Sequence, residues 1–121
     1  TQDRDAMRLK SEIWVKAYVR RLASVGQQAY IVRHGDDDAG AIYIRINLLD
    51  GTSSLFGPAP ASLSGAETDR RWVAHFKGEA RADVEVDAYL DREARTDPDL
   101  WIVEVEARDG AHGLDGWLTD V

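Results

Sequence analysis

At Gly26 the hydrophobic pattern of this chain changes period, from the three- and four-residue steps of a helix to the two-residue step of a strand. Before it, Trp14, Val15, Tyr18, Val19, Leu22 and Val25 fall on one stripe of a helix predicted over about Lys10 to Val25, with Gly26 as its stop. After it, 29–34 and 41–48 read as strands, joined as a hairpin by the six residues 35–40. In the second strand Ile42, Ile44, Ile46 and Leu48 point one way and Tyr43, Arg45 and Asn47 the other, so one face is core and the other partly wet.

The pattern continues with a short strand at 54–56, stopped by Pro58 and Pro60, and a polar loop to Asp69. Residues 71–77 supply a fourth strand with Trp72, Ala74 and Phe76 facing alike. A second helix is predicted from about Val84 to Arg95, with Asp83 as N-cap and Ala82, Val86, Tyr89, Leu90 and Ala94 as its apolar stripe. Pro98 ends it, because the residue before a proline avoids helical angles. The last strand, 100–106, turns Trp101, Val103 and Val105 inward, and the tail from Asp109, with Trp117 and Leu118, is expected to dock loosely. The expected fold is α+β: an N-terminal helix, an antiparallel meander of three to four strands, a second helix and a final strand, with both helices on one face of the sheet.

With 121 residues, 44% of them hydrophobic, the chain suits one domain over 7–121, preceded by a disordered extension at 1–6, with Met7 as the natural start. The absence of cysteine excludes disulfides, thiol catalysis and thiolate metal sites. No apolar stretch approaches the length of a membrane span and no signal-peptide core opens the chain, so a cytoplasmic protein is expected.

Charge is divided unevenly along the chain. Residues 1–35 hold seven Lys/Arg against three Asp/Glu, net +4, while 36–121 hold eight against nineteen, net −11. Lys10, Lys16, Arg20 and Arg21 project opposite the apolar stripe of the first helix, as a surface for phosphates would, but the acidic body repels a polyanion and ranks nucleic acid below a protein partner. A membrane is ranked lower still, since Trp14 and Tyr18 are needed in the core. Residues 79–109 carry eleven acids against four bases, and Asp87 and Asp91 on the outer side of the second helix suit a basic segment of another protein. Phe56, beside Pro58 and Pro60, is a further candidate contact, against the alternative that it is a buried strand end. Charges of opposite sign at separate places also allow a homodimer.

Chemistry-bearing motifs are sparse. Asp36, Asp37 and Asp38 suggest a hard cation, yet adjacent residues do not all aim at one point and the spacing is not that of an EF-hand, so a solvated loop tip is expected. His34 and His75 sit in strands of one sheet, but no third histidine nearby completes a zinc set. Pro98-Asp99 with Glu106-Ala107-Arg108 faintly matches the carboxylates of metal-dependent nucleases, with arginine where lysine is needed. No nucleophile elbow, P-loop or dinucleotide fingerprint is present, and no cofactor or metal is expected.

Taken in order, Met7-Arg8-Leu9-Lys10-Ser11-Glu12-Ile13-Trp14-Val15, Asp38-Ala39-Gly40-Ala41-Ile42, Leu49-Asp50-Gly51-Thr52, Leu55-Phe56-Gly57-Pro58-Ala59-Pro60 and Asp99-Leu100-Trp101-Ile102-Val103-Glu104-Val105-Glu106 resemble a small alphaproteobacterial family known only as a domain of unknown function. The resemblance spans nearly everything from Met7 to Leu118. It implies a stand-alone bacterial cytoplasmic protein and brings no catalytic residue with it. The expected function is a non-enzymatic protein-binding or adaptor module; the alternatives are a nucleic-acid-associated protein working through the basic helix face, and a small enzyme using His75, Glu104 and Glu106 on the sheet.

Overall fold

The computed structural model describes residues 9–60 and 70–119. The extension at 1–6 and most of the loop before Asp69 lie outside them. Helix α1, Ser11–Ser24, forms where the stripe predicts it, burying Trp14, Val15, Tyr18 and Leu22. Its start has no side-chain cap. The first-turn amides of Ser11 and Glu12 instead donate to the carbonyls of Asp38 (3.1 Å) and Asp37 (3.0 Å), so the later loop satisfies the donors that a helix start leaves unpaired. Gly26, at φ +80°, takes the left-handed stop that the sequence predicts.

Among the described residues six strands follow: β1 Gln28–Arg33, β2 Ile42–Asn47, β3 Thr52–Pro58, β4 Trp72–Ala74, β5 Arg81–Ala82 and β6 Trp101–Glu106, with helix α2, Asp83–Thr96, between the last two. The α+β class agrees with the sequence reading, but the strand arrangement does not. β1 and β2 make no hairpin: the sheet order is β1-β6-β2-β3-β4, with β5 also on β3. β6 enters between β1 and β2, antiparallel to the first and parallel to the second, so the sheet is mixed.

The helices lie on opposite faces, a second correction to the expected arrangement. On one face α1 packs over Ile42, Ile44, Ile46, Phe56, Trp72, Trp101, Val103 and Val105. On the other, Val86 and Leu90 of α2 pack over Leu55, Leu100 and Ile102. Tyr43 and Arg45 lie on this second face, which the alternation in β2 predicts to be partly wet. Arg45 is 8% exposed, yet its charge is met by an ion pair to Asp87, by Asp83 Oδ1 at 3.4 Å and by a hydrogen bond to Ser53 Oγ at 3.1 Å. A buried charge is tolerated where partners surround it.

Two further elements depart from expectation. The fourth strand stops at Ala74 because Phe76 and Lys77 adopt φ of 57° and 56°, which turns Phe76 under α2, edge-on to Tyr89 at 5.5 Å. The tail is held firmly. Tyr18 Oη donates to the His112 carbonyl at 2.6 Å, Arg21 to that of Gly113 at 2.6 Å, and Trp117 packs edge-on against Trp14 at 5.5 Å.

Candidate functional site

β1 is the open edge of the sheet. It pairs with β6 from Gln28↔Glu106 to Ile31↔Val103, skips a residue at Val32, and resumes at Arg33↔Ile102. No strand among the described residues pairs with its other side. Ala29 packs on the α1 core, but Tyr30, Ile31 and Val32 are 45%, 39% and 59% exposed. Three consecutive large apolar side chains therefore stand on an edge whose outward side has no strand partner among the described residues. Such an edge is a template for another strand unless charge or covering blunts it. The strand's only charge, Arg33, is turned to the carbonyl of Pro98 at 2.8 Å. The opposite edge is closed: β4 and β5 line β3, and beyond β4 Leu118 bridges Trp72 while the Thr119 amide donates to the Trp72 carbonyl at 2.9 Å.

The residues singled out from sequence are mostly engaged within the chain. Lys10 lies 3.6 Å from Asp38 and Lys16 3.0 Å from Glu12. Arg21 holds the tail and sits 4.7 Å over the Trp117 ring. Arg20 alone of the four basic residues is exposed with no side-chain partner among the described residues. Asp87 belongs to the Arg45 ion pair, whereas Asp91 is exposed and without a side-chain partner among the described residues. Phe56 corrects the reading of it as an exposed contact: it is 9% exposed and edge-on to His112 at 5.0 Å, held as a strand end in the α1-side core.

The features that would make an enzyme are dispersed. His34 packs on Trp101, which faces α1, at 4.1 Å, while His75 is edge-on to Tyr43 and Tyr89 on the α2 side at 5.9 and 5.4 Å, so the two histidines do not meet. Glu104 accepts from Asn47 Nδ2 at 3.1 Å, and Asp99 and Glu106 lie beyond and at opposite ends of β6, a strand about 16 Å long. Tyr43 donates to Glu93 Oε1 at 3.1 Å; burial, then the Glu93 carboxylate, push its phenol well above the ordinary range. Burial pulls the His75 imidazole below its ordinary 6.5, with Glu93 opposing.

A lowered imidazole pKa means that the unfolded chain takes up the proton first. The stability due to neutral His75 is thus complete above pH 6.5 and is lost as pH falls from there through the folded-state value. We expect urea denaturation between pH 7 and 5 to show a decline in stability that flattens in His75→Phe; an unchanged slope in that variant would assign the decline to other groups.

Tyr30, Ile31 and Val32 were missed in the sequence because the expected hairpin placed β1 beside β2. The run Ala29-Tyr30-Ile31-Val32, apolar without strict alternation, is the signal that could have found them.

Relatives share this architecture. A family model described as a protein of unknown function, DUF1491, matches residues 9–115. The chain is similar to a crystal structure of a DUF1491 family protein from Caulobacter crescentus (TM-score 0.73, 37% identity, covering 91% of this chain and 96% of that one). It is also similar to the solution structure of Atu0922 from A. tumefaciens (TM-score 0.70, 41% identity, covering 83% and 86%). No curated protein matches the chain. Among the described residues no helix is long and apolar enough to cross a membrane. On a family match running from α1 through the second core to the tail, the chain belongs to the DUF1491 family of proteins of unknown function.

Proposed function

We propose that this protein is a non-enzymatic binding module that takes up an extended, apolar segment of another protein as an added strand along β1. One observation carries the reading: Tyr30, Ile31 and Val32 stand exposed in a row on the open edge, while the far edge is closed by β4, β5 and the tail. Strand addition draws affinity from main-chain hydrogen bonds and selectivity from alternate side chains, which suits an edge with few charges. The dispersal of basic side chains into intramolecular pairs supports a protein partner over nucleic acid, and a bacterial cytoplasmic setting belongs to the same proposal.

The test is photocrosslinking in an alphaproteobacterial host, with a benzophenone amino acid at position 32 and, as control, at Val84, which is 73% exposed on α2. The expected result is an adduct at 32, absent at 84, whose partner peptide is apolar and extended. A synthetic copy of that peptide should then bind the wild type and not the Tyr30→Lys, Val32→Lys variant. Crosslinking no greater at 32 than at 84, or an adduct only with a second copy of this chain, would overturn the reading.

A further inference from the structure

We propose that Glu12, His34 and Asp37 form a binding site for a first-row divalent cation of the zinc class, independent of the docking edge. One oxygen from each carboxylate and one imidazole nitrogen lie within 4.8 Å of one another, with His34 Nε2 and Asp37 Oδ1 2.7 Å apart. The three come from separate places: the first turn of α1, the residue after β1, and the loop between β1 and β2. The scaffold that brings them together is firm. The Glu12 amide donates to the Asp37 carbonyl, and the buried Ser11 hydroxyl donates to the Gly40 carbonyl at 2.7 Å. The His34 ring lies on Trp101, whose indole N–H donates to the Asp36 carbonyl at 2.8 Å.

The fold also selects one acid from the Asp36-Asp37-Asp38 run. Asp36 accepts from the amides of Asp38 and Ala39 at 3.1 and 2.9 Å, and Asp38 is matched by Lys10, which leaves Asp37 directed at His34. The tip is solvated as the sequence predicts, and these bonds hold it with one carboxylate facing an imidazole and another facing in from the helix.

One imidazole and two carboxylates suit zinc, cobalt, manganese or iron better than calcium, which prefers oxygen alone. Three protein ligands leave at least one position for water or an incoming group. Tetrahedral bonds of about 2.0–2.1 Å place donors roughly 3.3 Å apart, so the His34–Asp37 pair opens slightly and the widest pair closes by at most about 1.5 Å. The His34 and Asp37 side chains are 54% and 58% exposed, so the adjustment takes place at the surface and not within the core. Lys16, 3.0 Å from Glu12 in an exposed pair, is the resident cation that the metal displaces.

The test titrates the full chain with ZnCl2 by calorimetry and with CoCl2 by amide NMR. The expected result is saturable one-to-one binding, with paramagnetic broadening centred on residues 12, 34 and 37. Asp37→Asn and His34→Phe, which keeps a ring on Trp101, should weaken binding roughly tenfold or more, the least that loss of a supporting contact costs such sites. Lys16→Met, which removes the competitor, should tighten it. Non-saturable uptake, broadening centred on His75 or His112, or affinity unchanged in both ligand variants would overturn the site. Tryptophan emission and far-UV circular dichroism of each variant identify any loss of binding that comes from unfolding.

Discussion

Trp72→Ala is expected to lower the unfolding free energy by about 4 kcal/mol, the middle of the range for emptying an aromatic site in a core. Trp72 is 2% exposed, its ring centroid is 4.5 Å from that of Trp14, and its indole N–H donates to the Ile42 carbonyl at 3.0 Å. The change therefore opens a cavity and removes the indole donor of a buried carbonyl. It also slackens the seat of the tail, because Trp117 lies 6.4 Å from the same ring. Trp72→Phe keeps most of the packing and loses the donor, so about 1–2 kcal/mol is expected for it. Urea unfolding followed by tryptophan fluorescence measures both. A loss under 1 kcal/mol for the alanine variant would contradict the assignment of Trp72 to the centre of this core.

Gly35→Ala is the second large effect, and here the cause is crowding. A Cβ at Gly35 would overlap the Asp99 carbonyl oxygen and stand 2.6 Å from the Leu100 carbonyl carbon, both backbone atoms at the entry to β6. Neither belongs to a flexible side chain that can turn aside, and the Asp99 oxygen already accepts the Asp36 amide at 2.9 Å. Relief requires moving the end of β1 away from β6, at about 3 kcal/mol. Gly116→Ala is the control. Nothing lies within 4 Å of its added Cβ and its φ is not left-handed, so a change within about 0.5 kcal/mol is expected. Equal melting temperatures for the two alanine variants would show that the β1–β6 junction is looser than described.

The elements that a local pattern can specify were legible in the sequence. The stripe Trp14, Val15, Tyr18 and Leu22 is the buried side of α1, and Trp101, Val103 and Val105 are inward as the two-residue period predicts. Val25 falls on the predicted stripe but is the C-cap residue, outside the helical turns, and is 73% exposed. Pairing was not legible. Nothing local in 29–48 reveals that β6, more than fifty residues later, will displace β2 as the neighbour of β1. The loop 35–40 looks like a hairpin turn because its glycines suit one, yet Gly35 and Gly40 are required for backbone closeness to Asp99. The second covered face was hidden by Arg45, whose charge reads as wet until Asp83 and Asp87 approach from α2.

The candidate surfaces follow the same division. Charge runs are visible in sequence, but which charges stay available depends on folding: Lys10, Lys16, Arg21 and Asp87 are paired within the chain, and Arg20 and Asp91 are left. The open edge and the Glu12-His34-Asp37 cluster both arise from the placement of β6, which leaves β1 outermost and seats Trp101 beneath His34.

The most direct measurement of the β1 proposal is amide hydrogen exchange, residue by residue, on the chain alone and with the peptide identified by crosslinking at position 32. In an edge strand only the amides facing the neighbouring strand are protected, so β1 alone should show an alternating pattern broken at Val32. With the peptide bound, the outward amides of β1 should become protected while those of β4 stay unchanged. Alternation that persists in β1 while protection rises on α1 or α2 would contradict strand addition and place the partner on a helix face.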